Sequence, residues 1–408
     1  MSRFRSAWPL AILWVAGGCV TTRPYVPARQ IHDLDSVEGR LQRILDEAVN
    51  EYGLPGVQAG VQFPDGRRIV VTSGTRDLGR KEAPIEKGDV FKIGSATKMF
   101  VAALIGRLKE RGLLSFDDPV SRWLPELPDA RHISLRQLLS HTSGIPENLF
   151  SKPSIVIRSV LSDHVRWDPL EVVHKVMTGA GAEDRRQARF RYANTNYLIL
   201  GLIAERAGGA PIRVQLEREF FRPAGMSRTF LLPGDPDNPP ALIPGYDEYV
   251  PFGPHLIRPD CTSWDSLAFT AGAMASTADD LLTWLDALFH GRVVTLATLQ
   301  ELELFRDSRN NGRDEEMVAY GLGISLYDVD GRRMLGHPGG GFGGECFPFY
   351  LPELDASVVV TYNLSRKDNP AGKRVLTRMI REIVEMETAP PRSLEDSASG
   401  SPSRSVER

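Results

Sequence analysis

The amino-acid sequence predicts an α+β fold. One antiparallel sheet is assembled from N- and C-terminal segments and flanked by helices as an α/β/α sandwich, and a mostly helical lobe is inserted at about 115–260. Three observations carry this reading. Hairpin chemistry follows directly on the first helical run, short β-branched and aromatic segments return only in the last quarter of the chain, and the stretch between them reads as helical patches separated by Pro/Gly loops.

Taken in order, Leu34, Val37, Leu41, Ile44, Leu45 and Ala48 recur at helical spacing, and Gly53 with Pro55 ends the run. Val57 to Phe63 and Ile69 to Ser73 are strand-like, with Pro64-Asp65-Gly66 as the turn between them. Ala96 to Leu114 is a second helical run, checked by Gly112 and followed by Asp117-Asp118-Pro119, so Ser95 falls at a helix N-terminus. From there to about Pro259 no hairpin is predicted. Tyr320 to Tyr327, Arg332 to His337, Glu345 to Tyr350 and Ala356 to Tyr362 then read as strands, and Arg374 to Met386 as a closing helix.

A chain of 408 residues that is 42% hydrophobic and 25% charged can bury a large core, which excludes disorder over its whole length. The net charge of -3 is spread along the chain, so no nucleic-acid partner is expected; a small-molecule or peptide substrate is. The first residues differ in kind. Arg3 and Arg5 precede an uncharged run from Trp8 to Gly18, too short for the roughly 20 residues of a membrane-spanning helix. Residues 1–18 are therefore read as a signal peptide, and Ala16-Gly17-Gly18 before Cys19 resembles the lipobox at which bacteria acylate a cysteine. The expectation is an exported protein, periplasmic or on the cell surface, anchored to a membrane by a lipid on Cys19. Residues 19–33 form the tether, 34–387 the folded domain, and 388–408 a Ser/Pro-rich tail expected to be disordered. Cys261 and Cys346 are the remaining cysteines and are expected as two buried free thiols.

Three short elements carry chemistry. In Ser95-Ala96-Thr97-Lys98 the spacing sets an amine one helical turn from a hydroxyl, the relation needed for a base to activate a serine nucleophile. Tyr192-Ala193-Asn194 either offers a phenol to carry protons and an amide to bind substrate or is a buried aromatic beside a turn-forming Asn. His337-Pro338-Gly339, continued by Gly340, Gly341, Gly343 and Gly344, either lets a substrate approach strand backbone or makes a flexible hairpin. Each is weak alone. All three in this order arise by chance on the order of 0.02 times in a sequence of this composition.

The ensemble resembles the serine β-lactamase and penicillin-binding DD-peptidase superfamily, in its class C β-lactamase-like branch with esterase and D-aminopeptidase relatives. Phe91 to Lys98, Asp117 to Val120, Leu138 to Ile145, Tyr192 to Tyr197 and Gly272 to Leu282 carry the likeness, which covers roughly residues 41–384. The resemblance implies the β-lactamase/transpeptidase-like fold and a serine hydrolase that forms an acyl-enzyme on an amide or ester. Ser95 is then the nucleophile, Lys98 and Tyr192 move protons, and Asn194, His337, Gly339 and Gly340 hold substrate. The N–H groups of Ser95 and Gly340 form the oxyanion hole, and no metal or organic cofactor is required.

Departures from the pattern redirect the substrate. Where β-lactamases of this branch carry Lys-Thr-Gly this chain has His337-Pro338-Gly339, which loses a permanent charge and a hydroxyl, so weak or no β-lactamase activity is expected. D-amino-acid peptides or small esters at the cell envelope remain, with a non-catalytic penicillin-fold binding or scaffold lipoprotein as the alternative. His141, beside Ser140 and Ser143, permits a Ser–His pair but reads as part of a structural loop, and Cys346 as a packing residue. The α/β-hydrolase elbow, the H-E-x-x-H zinc motif and the phosphate-binding glycine loop are all missing from the sequence.

Overall fold

The computed structural model describes residues 36–388 except 148, 163, 179–188, 234–241, 249–254, 260, 309–315, 342 and 367. The signal peptide, Cys19, the tether and residues 389–408 lie outside the described residues. Helix α1 (Val37–Tyr52) starts where the Ser36 hydroxyl accepts the Gly39 N–H at 3.1 Å and stops at Gly53, whose φ of 66° only glycine adopts freely. Strands β1 (Gly56–Gln62) and β2 (Arg68–Asp77) form the expected hairpin, and β3 (Arg80–Pro84) follows. Helices α2 (Thr97–Glu110), α3 (Asn194–Gly208), α4 (Thr262–Gly272) and α5 (Ala278–Phe289) come next. The chain then returns as β4 (Arg306–Asp307), β5 (Met317–Tyr320), β6 (Ser325–Val329), β7 (Arg332–Gly336), β8 (Gly339–Gly341), β9 (Gly344–Leu351) and β10 (Ala356–Tyr362), and closes with α6 (Ala371–Thr388).

These strands make one antiparallel sheet in the order β3-β2-β1-β10-β9-β7-β6-β5-β4, with β8 paired to β9. N- and C-terminal segments therefore meet at the β1–β10 pair, in register from Val57↔Tyr362 to Gln62↔Ser357. Because side chains alternate along a strand, the two strands feed two cores. Val57, Ala59, Val61, Val358 and Val360 pack against Leu41 and Leu45 of α1 and Val375 and Met379 of α6. Val359 joins the opposite core with α2 and α5, where Leu282 sits so close that a Cβ on Gly60 would lie 2.8 Å from it.

Helix α2 is buried from Thr97 to Gly106 and has no side-chain N-cap. Burial of one large apolar side chain contributes about 1.5–3 kcal/mol against roughly 1 kcal/mol for a cap, so packing of Met99, Phe100, Leu104 and Ile105 is what anchors the helix. Phe100 stacks on Trp284 of α5 at 3.8 Å. The helix that begins beside Ser95 is thus the molecule's central strut.

The structure departs from the sequence reading in two places. Tyr320 to Tyr327 is two strands, broken at Gly321–Gly323 because Gly323 takes a φ of 89° and its turn lies against Ala102 of α2. The helical lobe does contain a short antiparallel pair, Gly245–Asp247 with His255–Ile257, whose three-residue strands are too short to show alternation. The glycine run, expected either as strand backbone open to substrate or as a flexible hairpin, places Gly339–Gly341 in a strand, β8, paired with β9.

Candidate active site

Ser95 lies in a 3-10 turn, Gly94–Ala96, which follows the short strand Phe91–Lys92 and runs into α2. Lys92 is buried and paired with Asp265 of α4 at 2.7 Å, a contact that ties the nucleophile's strand to that helix. Burial raises the Asp265 carboxyl above its ordinary range while Lys92 opposes the rise. Strand β8 presses on the turn: a Cβ on Gly339 would lie 1.9 Å from the Ile93 oxygen and 2.8 Å from the Ser95 nitrogen. A Cβ on Gly94 would lie 2.6 Å from the Gly340 nitrogen. Glycine at 94 and 339 is what lets the backbones of Ser95 and Gly340 meet.

One turn into α2, the Lys98 side chain is fully buried, and its Nζ has three oxygen partners: Ser95 Oγ at 2.9 Å, Asn194 Oδ1 at 2.8 Å and the Ala271 carbonyl at 2.7 Å. The Ala271 carbonyl belongs to the last turn of α4, where the helix itself supplies no acceptor's partner, so Lys98 satisfies it. Tyr192 crosses from the segment before α3, and its hydroxyl donates to Ser95 Oγ at 3.0 Å while Lys98 Nζ stands 4.9 Å from its ring centroid. The sequence-predicted trio thus meets at one hydroxyl.

Asn194, the first residue of α3, turns its Oδ1 to Lys98 because its Nδ2 donates to Glu147 Oε1 at 3.2 Å; its backbone N–H also donates to Glu147. The amide expected to hold substrate therefore first orients the lysine. His337 is likewise engaged within the protein. It is 3% exposed, its Nδ1 lies 2.7 Å from the Pro338 oxygen, and its Nε2 lies 3.0 Å from the Tyr320 hydroxyl. A carbonyl only accepts, so Nδ1 carries the proton and Nε2 accepts from Tyr320. Burial, helped by nearby Lys98, pulls the imidazole down to about 3, and the ring is neutral near pH 7. Both ring nitrogens of His337, expected from the sequence to hold substrate, are engaged within the protein at the start of β8. Gly339 faces the nucleophile's turn, and Gly340 is the exposed one of the pair.

His141 and the serines beside it form no catalytic pair. Ser143 Oγ donates to Asn196 Oδ1 at 2.7 Å, and Ser140 Oγ to the Arg136 oxygen at 2.8 Å. Cys261 and Cys346 are buried and are not joined to each other by a disulfide, and burial pushes the Cys346 thiol up to about 12, which leaves it protonated and unreactive. Among the described residues no His/Cys/Asp/Glu cluster could hold a metal, and no helix is long and apolar enough to cross a membrane.

Sequence reasoning missed Glu147, Tyr320 and the Ala271 carbonyl. Glu147 follows the LLSHTSGI stretch by only two residues, yet nothing in spacing links it to Asn194, 47 residues on. Ala271 acts through its backbone, which residue type does not reveal.

Residues 41–381 match the family described as Beta-lactamase. The chain belongs to the β-lactamase family. Among its relatives is a penicillin-binding protein of Bacillus subtilis, 26% identical over 275 residues that make up 64% of this chain and 57% of that protein, so the match takes in little more than half of the relative. Esterase EstB of Burkholderia gladioli is 26% identical over 337 residues, 75% of this chain and 83% of the esterase. The D-amino acid amidase of Ochrobactrum anthropi SV3, solved with L-phenylalanine amide, superimposes with a TM-score of 0.75 at 27% identity, over 86% of this chain and 99% of the amidase. Large antiparallel sheet, flanking helices and helical lobe are thus those of a β-lactamase-family protein.

Proposed function

We propose that this β-lactamase-family protein is a serine hydrolase that cleaves an amide or ester through an acyl-enzyme on Ser95. The observation that carries the reading is the convergence of Lys98 Nζ and Tyr192 Oη on Ser95 Oγ, at 2.9 Å and 3.0 Å. A neutral amine has two N–H donors and one lone pair. In its deprotonated state Lys98 can give its donors to Asn194 Oδ1 and the Ala271 carbonyl and turn its lone pair to the Ser95 proton. Oγ then attacks the substrate carbonyl, and the N–H groups of Ser95 and Gly340 receive the oxyanion, an arrangement commonly worth about 10² to 10³ in rate per donor. Tyr192 passes a proton to the leaving nitrogen or oxygen as the C–N or C–O bond breaks. Water adds to the acyl-enzyme carbonyl, losing its proton to the same pair, and Ser95 leaves with a proton regained.

Substrate class is read from charge. Glu147 accepts two N–H bonds from Asn194, and a carboxylate has about four lone-pair sites, so it retains capacity for an ammonium group on the acyl part of a substrate. His337 is neutral where β-lactamases of this branch carry lysine, which disfavours a substrate held by its own carboxylate and supports weak or no β-lactamase activity. The amidase and esterase relatives support amino-acid amides, short peptides of D-configuration and small esters as candidates. The N-terminal pattern of Arg3, Arg5, the Trp8 to Gly18 run and Cys19 supports export and lipid anchoring at a bacterial envelope, where such D-amino-acid substrates occur.

Intact-protein mass spectrometry after exposure to an activated ester, a D-amino-acid amide and a β-lactam tests the reading. Wild type should gain the mass of an acyl group from the ester, and Ser95→Ala should gain none and lose about 10³-fold or more in turnover. A wild type with neither adduct nor ester turnover would refute it.

A further inference from the structure

Tyr192 stands on a segment that belongs to no helix or strand, so no ladder of backbone bonds fixes where its hydroxyl points. His141 holds it at three points. The His141 carbonyl accepts the Arg191 N–H at 2.8 Å, and the His141 Nδ1 accepts the Ala193 N–H at 3.2 Å, so one residue holds the backbone on both sides of Tyr192. The imidazole also lies against the phenol, ring centroids 4.2 Å apart and tilted by 31°.

His141 is itself held. It is fully buried, its ring is bordered by Tyr197 at 5.2 Å and Tyr320 at 5.0 Å, and Asn196 Nδ2 lies 3.1 Å from its Nδ1. A backbone N–H can only donate, so Nδ1 is the bare nitrogen and acts as acceptor. That requirement, together with a flat face for the phenol and a φ of 55°, narrows the residue types that fit: histidine and asparagine tolerate the left-handed backbone, but only histidine adds the ring.

We propose that His141 is the positioning residue for Tyr192, fixing by its carbonyl, its Nδ1 and its ring face the approach of the phenol to Ser95. The proposal rests on the reading of Tyr192 as the group that hands a proton to the leaving atom. A misplacement of roughly 1 Å at such a group costs about 10²-fold. The cost falls on substrates that need the proton: an amine must be protonated as it leaves, whereas the phenolate of an activated aryl ester leaves unaided.

The experiment compares wild type, His141→Phe and His141→Asn on an amino-acid amide and on the matching p-nitrophenyl ester, with rates expressed per active site titrated by a fluorophosphonate. His141→Phe keeps a flat ring but loses the acceptor; its kcat on the amide should fall about tenfold or more beyond its fall on the ester, with KM within about twofold. His141→Asn keeps an acceptor and the left-handed backbone but lacks the ring face; its kcat on the amide should fall severalfold beyond its fall on the ester, less than in the Phe variant, and it carries the test if the Phe variant does not fold. Equal losses on the two substrates per titrated site, or no loss, overturn the proposal. A wild type that turns over neither substrate instead removes the acyl-enzyme reading, an outcome the two arms keep separate.

Discussion

At position 147 a carboxylate accepts from both the backbone and the side-chain nitrogen of Asn194, whose Oδ1 faces the buried lysine. Two consequences follow from its charge: it fixes which end of the Asn194 amide faces Lys98, and it can attract a cationic substrate group. Glu147→Gln keeps one acceptor and removes the charge. A charge-assisted hydrogen bond is worth about 1.5–3 kcal/mol, so KM for a substrate with a free α-amine should rise about ten- to a hundredfold. The desamino analogue should show only the loss in kcat that both substrates share; steady-state kinetics on the matched pair decide, and equal KM changes would assign Glu147 to Asn194 alone. At this scale the sequence was partly legible. Ser95 and Lys98 are three residues apart on one helical turn, so their spacing alone implies contact, and Tyr192 stands out by chemical type. Glu147 and Tyr320 depend on how distant segments fold together, and so do the burial and the two internal hydrogen bonds of His337.

At the scale of elements, the strand β8 matters most, because there the backbone of the nucleophile's turn meets a strand with no side chain between them. Gly339→Ala would drive a methyl group to 1.9 Å from the Ile93 carbonyl, an atom of the backbone that cannot rotate away. Overpacking of this kind costs about 1–3 kcal/mol, and here the relief is to move β8 off the Ser95 turn. The expected outcome is a lowered Tm and a loss of ester turnover of about 10²-fold as the Gly340 N–H is displaced. Gly340→Ala, whose methyl would meet only the Glu345 side chain at 3.4 Å, should keep the Tm within a degree or two of wild type by thermal unfolding, the difference between van der Waals contact and collision. Strong local signals predicted elements well here: the Pro64-Asp65-Gly66 hairpin and the strand Ala356–Tyr362 lie where the sequence puts them. The split of β5 from β6 and the pair Gly245–Asp247 with His255–Ile257 were hidden because contacts with α2 and with the segment Leu364–Ser365, rather than local alternation, define them.

Across the whole molecule, β9 connects the site to the core beneath it. Cys346 of β9 faces the α2 core, and Glu345, its neighbour, faces the other way, in register with Gly340 on one side and Tyr362 on the other. Glu345 accepts the Tyr362 hydroxyl at 2.5 Å and the Arg366 N–H at 3.3 Å, while the Arg366 guanidinium is taken up by Glu248 and the Tyr52 carbonyl. Burial outweighs these donors and raises the carboxyl from 4.5 to about 7. The folded state therefore holds this proton more tightly than the unfolded chain: the stabilisation is complete below about 4.5 and is lost as pH rises through about 7. His337 works in the opposite sense. Its folded value, about 3 against 6.5, makes its contribution complete above 6.5 and lost as pH falls towards 3, so the two groups oppose each other between 4.5 and 6.5. Glu345→Gln removes one side of that balance. Relative to wild type its Tm should climb by several degrees between pH 5 and pH 8, since only wild type must ionise a buried carboxyl, a cost on the order of 3 kcal/mol. Taking the difference between the two proteins cancels His337 and every other titrating group they share. A difference that stays flat across this range would mean that the Glu345 carboxyl titrates as it does in water, and that the sheet behind Gly340 is open to solvent.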